Sequence, residues 1–246
     1  MYTILISMLI GAASGALWTV LGLWKDWQMG IVLFVLVSGV SFILISRAMA
    51  KRIEPRFLAI QKQIQAGQTQ LAIGQLEELM PLSRWQVLLK GQIHAQIGLL
   101  AYASGDEKRA EEHLAEAGLR STEAKLAQAA LAYRKGRKDQ AREALDVAIR
   151  ANKKQIMPYH VYAWMLLKEG DRDAAIQKLV DAQKVEKSNE STEENLARLR
   201  NGKKLSMKRF GMAWYGLQLE KPPAQLRAAQ GMAGRKGFRQ KPSRKR

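Results

Sequence analysis

Between Met1 and Ser46 the only charged residues are Lys25 and Asp26. Two uncharged runs flank them, ILISMLIGAASGALWTVLGLW and WQMGIVLFVLVSGVSFILIS, each about 20 residues long. At ~1.5 Å per residue a helix of that length crosses a hydrocarbon layer of ~30 Å. Backbone groups in lipid must pair within their own segment, so both runs are expected to be helices, over 4–24 and 28–46. The two-residue charged link suits a tight turn, giving a transmembrane hairpin over 1–50. Trp18, Trp24 and Trp27 flank that link, where an interfacial aromatic belt would lie.

Lys and Arg counts orient the hairpin. Arg47, Lys51, Arg52, Arg56 and Lys62 follow the second run, whereas the link offers only Lys25, offset by Asp26. The positive-inside rule then places both chain ends in the cytoplasm, and a bacterial inner membrane is the expected setting. Two other readings are weaker. A cleaved signal peptide wants a basic start, which Met1–Ser7 lacks. Buried helices of a water-soluble core usually carry a polar stripe. Gly11 and Gly15 form a small-xxx-small pair that would serve close packing within the hairpin or a homo-oligomer.

A second pattern organises the middle of the chain. Gly-x4-Ala-x3-Leu occurs at Gly67/Ala72/Leu76, Gly105/Ala110/Leu114, Gly136/Ala141/Leu145 and Gly170/Ala175/Leu179, with steps of 38, 31 and 34 residues. Each position has a physical task. The glycine ends one helix in a left-handed conformation that a side chain would penalise. Alanine lets the next helix lie close to its partner, and leucine four residues on fills the core from the same face. A second helical pattern runs upstream of each of the last three glycines, as in HAQIGLLAYAS, KLAQAALAYRK and HVYAWMLLKE, with Gly98, Ala129 and Ala163 each twelve residues before the repeat alanine. Two helices per unit at a period near 34 predict an array of helical hairpins.

This pattern resembles the tetratricopeptide repeat family over residues 53–190. Units at 91–121, 122–155 and 156–189 fit well. The first, around 53–84, is degenerate, with Ile60 where a small residue is expected, and the linker Pro81–Trp85 lengthens its step. The resemblance implies an all-α fold: the hairpin, then an α-solenoid of about four helical pairs with a capping helix. It also implies a concave face built from first-helix side chains, here Leu99, Tyr102, Tyr133, Arg134, His160, Trp164 and Lys168. Some members hold a partner's terminal carboxylate with ordered Lys and Asn residues. The matching positions here are Ala95, Leu99, Leu126, Ala130 and Trp164, so that clamp is absent. A groove of Tyr, Trp and a few cations suits an apolar or aromatic peptide from a protein partner. Aromatic residues at this spacing also serve as inter-repeat core.

Residues 191–223 read as a capping helix and an aromatic segment. Ser191 with Glu194 suggests a capping box. Phe210, Trp214, Tyr215 and Leu217 form a dense apolar cluster that either folds back on the last unit or lies at a membrane interface. The stretch 224–246 lacks periodicity and is expected to be disordered. From Arg200 to Arg246 there are fourteen Lys and Arg against one acid, Glu220, so much of the chain's net charge of +18 lies there. Arg235, Lys236, Arg239, Lys241, Arg244, Lys245 and Arg246 would meet anionic lipid or RNA, or merely solubilise the tail.

No catalytic, cofactor or metal constellation is spelled out. Cysteine is absent, which removes thiolate chemistry. His94, His113 and His160 stand in no metal-ligand spacing. The expected function is therefore non-enzymatic: a membrane-anchored scaffold that binds partner proteins through a cytoplasmic groove. The alternative is a ribosome- or nucleic-acid-associated membrane factor acting through the basic tail. A third reading makes the hairpin itself the contact to a membrane enzyme or transporter.

Overall fold

The computed structural model describes residues 2–20, 27–86 and 88–224. The basic stretch 225–246 and the hairpin link 21–26 lie outside the described residues, as do Trp24 and the side chain of Trp27. Helices α1 (Tyr2–Val20), α2 (Trp27–Gln65), α3 (Thr69–Glu78), α4 (Leu89–Ser104), α5 (Glu107–Ala115), α6 (Thr122–Arg134), α7 (Lys138–Ala151), α8 (Met157–Lys168), α9 (Arg172–Val185), α10 (Glu190–Arg200) and α11 (Gly211–Tyr215) follow one another, with 3-10 turns at Met80–Arg84 and Lys208–Phe210. No strand occurs among the described residues. The chain divides into two compact units, one of residues 1–128 with 150–152, the other of 129–149 with 153–246.

In the first unit, α1 and α2 are both long and apolar enough to cross a membrane. They pack antiparallel: a Cβ on Gly11 would overlap Ser38 Oγ, and one on Gly15 would lie 2.9 Å from the Gly30 carbonyl oxygen. Thr3, Ser7, Gly11 and Gly15 are the buried residues of α1, a small-residue stripe at every fourth position. Leu9 (68% exposed), Leu36 (60%) and Leu44 (62%) point outward. Hydroxyls on α1 return to the helix's own backbone. Ser7 Oγ donates to the Thr3 carbonyl at 2.6 Å, Ser14 Oγ to Gly11 at 2.7 Å and Thr19 Oγ1 to Ala16 at 2.8 Å. These hydroxyls are thus satisfied locally, without a partner on another helix.

The second apolar run was expected to be a helix over 28–46. Helix α2 contains that span and continues without a break to Gln65, through Pro55. The charges at Arg47, Lys51 and Arg52 change its surroundings, not its hydrogen bonding. Met49, Ile53 and Ile60 recur at helical spacing and join Ile73, Leu76, Leu79, Ile93 and Ile97 in one apolar core. The distal half of α2 thus stands where the first helix of the degenerate unit was expected.

The Gly-Ala-Leu spelling has a constant structural counterpart. Gly67, Gly105, Gly136 and Gly170 have φ of 75°, 84°, 76° and 90°. A helix begins two residues after each of them: α3, α5, α7 and α9. All eight partners, Ala72, Leu76, Ala110, Leu114, Ala141, Leu145, Ala175 and Leu179, are 0% exposed. In the α4–α5 pair, Gly91 meets Gly118 and Gly98 meets Leu114, so those two helices also run antiparallel. Asp106 and Asp171 cap α5 and α9, accepting from the backbone N–H of Arg109 and Ala174.

At α10 the cap differs from expectation. Asn189, not Ser191, accepts from the Thr192 N–H, and the helix begins at Glu190. Ser188, Asn189 and Ser191 in SNES are all capping-competent, and the β-region backbone of Asn189 makes it the cap.

Candidate functional site

The second unit holds most of the residues expected to line a groove. Helix α8 opens with Pro158 in its first turn, where a missing N–H costs nothing. Ten consecutive residues, Met157–Leu166, are buried. A first-layer helix of an open array should leave one face accessible. Here the chain's own segment 206–220 covers it.

That cover is specific in its contacts. Trp214 is 0% exposed and meets Trp164 edge-on, at 5.2 Å between ring centroids and 66° between planes. Tyr133 packs on the Trp164 ring at 5.9 Å and 64°. Phe210 lies 4.8 Å from the His160 ring. Glu220 then bridges the two indoles: Trp164 Nε1–H donates to Oε1 at 3.0 Å, and Trp214 Nε1–H donates to Oε2 at 3.1 Å. Reaching that position requires a turn at Gln218, which has φ 55°. Arg134 donates to the Gln218 side-chain oxygen at 2.9 Å. Upstream, Asn195 and Ser206 exchange two hydrogen bonds, at 3.0 and 2.8 Å. Arg209 pairs with Glu190 and Glu194 at 2.6 and 2.8 Å.

Of the seven groove candidates, Arg134, His160 and Trp164 therefore touch residues 210–220, and Tyr133 packs on Trp164. Lys168 remains exposed, with its ammonium 5.2 Å from the Trp164 ring centre. In the first unit Leu99 is half-buried and Tyr102 is buried. His160 is sealed inside. Its Nδ1 lies 3.1 Å from the Ile156 carbonyl, which only a protonated Nδ1 can serve. Burial holds its imidazole below the ordinary histidine value, against the pull of that hydrogen bond. Burial, then the Glu169 carboxylate, raise the Tyr133 phenol.

A cavity of about 290 Å³ opens beside the Glu220 contact. Trp164, Leu167, Leu199 and Leu205 give it apolar walls, and Lys168, Arg172, Lys203 and Lys204 stand around it. The Arg172 guanidinium donates to the Leu199 carbonyl. Lys203, Lys204, Arg172 and Glu220 were not among the expected site residues. One signal pointed to Glu220: it is the single acid in a stretch otherwise charged only by cations.

In the first unit, His94 and His113 face each other from α4 and α5 with Nδ1 atoms 3.1 Å apart. One must donate and the other accept, so the contact needs a neutral partner. Burial lowers both imidazoles; Lys90 and Arg109 act in the same direction, and Glu116, Glu77 and Glu112 against it. Among the described residues no three His, Asp or Glu side chains gather as metal ligands. No protein-family model matches the chain, and no curated protein matches it.

Proposed function

We propose that the chain is a membrane-anchored, non-catalytic scaffold. An N-terminal hairpin holds it in a membrane, and a solenoid of tetratricopeptide-like helical pairs presents side chains to partner proteins on the cytoplasmic side. The observation that carries this reading is a pairing of opposites. Four glycine junctions bury the same Ala and Leu positions completely, while the preceding hairpin buries Gly, Ser and Thr and turns its leucines outward. Residues of the repeated kind are spent on stacking, as in arrays that bind rather than catalyse. Anchoring raises the effective concentration of a captured partner at the membrane.

Topology is directly testable because the chain has no native cysteine. Single cysteines at Gln28 and Ser243 should react with a membrane-impermeant maleimide from opposite sides of sealed vesicles. Labelling from one side, or extraction of the chain by alkaline carbonate, overturns the anchored reading. Deleting 224–246 separates the scaffold from a nucleic-acid role. A scaffold keeps its protein partners without the tail, whereas a salt-sensitive RNA association lost with the tail favours the basic stretch as the functional part.

A further inference from the structure

The cavity beside Glu220 joins two chemistries that a single ligand would have to satisfy. Its apolar side is Trp164, Leu199 and Leu205, and its charged side is Lys168, Lys203 and Lys204 with Arg172. Four cations and one carboxylate line it, and that carboxylate already receives two indole N–H groups. Arg172 is occupied by a backbone carbonyl. Among the described residues none of Lys168, Lys203 and Lys204 forms an ion pair, so the site keeps an unbalanced positive charge. The wall also seats a carboxylate from within the chain. Glu220 spans Trp164 and Trp214 with one oxygen each, and it is the sole acid between Arg200 and Arg246.

We propose that this cavity is a binding site for an acidic peptide segment bearing an apolar side chain, its carboxylates on Lys203 and Lys204 and its apolar group against Leu167 and Leu205. Charge complementarity selects the acidic segment, and the apolar walls select one that is not uniformly charged. Single-stranded RNA fits less well. Base stacking needs an open aromatic face, and the Trp164 ring is contacted by Tyr133, Trp214 and Lys168. Of the clamp positions considered above Trp164 alone lines this cavity, and Ala95, Leu99, Leu126 and Ala130 carry no cation. The inference rests on reading the helical part as a partner-binding array and names the chemistry of the partner.

The test uses the full chain in dodecylmaltoside micelles and a fluorescein-labelled peptide, Gly-Glu-Leu-Glu-Asp-Leu-Glu-Glu-Leu, read by fluorescence anisotropy. Saturable binding is expected. The variant Lys203→Gln/Lys204→Gln should weaken it at least about tenfold, as loss of two desolvated charge contacts implies. Its melting curve should not move, because both side chains are exposed. A peptide with Gln and Asn for Glu and Asp should bind comparably poorly. A tail variant with Arg235, Arg239 and Arg244 changed to Gln should bind as the parent does. The proposal is overturned by absence of saturable binding below about 1 mM, or by equal affinity for the neutral peptide. Binding lost in the tail variant and kept in Lys203→Gln/Lys204→Gln also overturns it, as does displacement of the peptide by polyuridylate at lower concentration than by unlabelled peptide. None of these outcomes touches the cysteine-labelling result, so failure here and failure of the anchored reading are told apart.

Discussion

Two antiparallel helix pairs in the first unit solve the same packing problem with opposite materials. In α1–α2 the contact is made by Gly11, Gly15 and Gly30, with Thr3 and Ser7 buried beside them, and the leucines face out. In α4–α5 glycines also mark the crossing, at Gly91, Gly98 and Gly118, yet Leu114, Ile93 and Ile97 lie inside and the charged residues outside. Glycine at a crossing thus says only that two backbones come close. What stands next to it differs: leucine faces inward at one pair and outward at the other. A pair assembled in water gains by hiding leucine. One surrounded by hydrocarbon gains nothing by that, and relies on close van der Waals approach.

The sharpest test of the contrast is a matched pair of truncations. Leu114→Ala should lower stability by about 2–5 kcal/mol, the usual cost of emptying a filled core position. Leu36→Ala should leave it within about 0.5 kcal/mol, as for other exposed sites. Thermal or denaturant unfolding of both variants in the same detergent measures the gap, and equal losses would break the comparison.

Enlarging the glycines should give a smaller but still unequal effect. Gly11→Ala sets a methyl against Ser38 and 2.8 Å from the Phe34 carbonyl oxygen, part of a helix backbone that cannot rotate away. Overpacking of this kind costs about 1–3 kcal/mol. Gly98→Ala meets the Leu114 side chain at 2.8 Å and its backbone nitrogen at 3.0 Å, wider than the corresponding contacts at Gly11, so its cost should be the lower of the two. Double electron–electron resonance between spin labels on α1 and α2 should show the hairpin widening in Gly11→Ala alone.

Gly105→Ala probes the junction rather than the crossing. Open space surrounds its Cβ position, but φ is 84°, so only backbone strain acts. A loss of about 1 kcal/mol in unfolding free energy is expected. No change at all would mean that the spelled glycine is dispensable.

The smallest effect is a pH dependence centred on the α4–α5 histidines. The folded-state values of His94 and His113 lie below the unfolded one. The unfolded chain therefore binds more protons as pH falls below the free-histidine value of about 6.5, and stability declines with acidity. Above that value the contact contributes in full. Melting temperatures measured at pH 7.5 and at pH 5 should differ, and His94→Gln/His113→Gln should narrow the difference, leaving the share due to buried His160. A parent and double variant with identical pH profiles would remove the pair from the account.

Local grammar made much of this legible. A left-handed glycine, a small residue five later and a leucine four beyond that each answer to a neighbour within one or two turns, so spacing alone located all four junctions. The continuation of α2 beyond its apolar run went unread for the converse reason. A change from lipid-compatible to charged residues looked like a boundary, but helix continuity depends on backbone hydrogen bonds, which the charges at Arg47 and Lys51 leave intact. The contacts that cover Trp164 were out of reach. Trp164 and Glu220 are 56 positions apart, and no period connects them. The aromatic density of 210–217 offered either the last unit or a membrane interface, and Trp214 packs on Trp164 of that unit. Glu220 was conspicuous only as an isolated negative charge.

The unbroken run of α2 from Trp27 to Gln65 has a mechanical meaning. Its last 19 residues extend about 28 Å beyond Ser46 at ~1.5 Å per residue, and Thr3 ties the start of α1 to the Trp85 carbonyl at 2.7 Å. One unbroken helix thus joins a segment apolar enough to cross a membrane to the Ile73–Leu76 core, with no hinge loop between them.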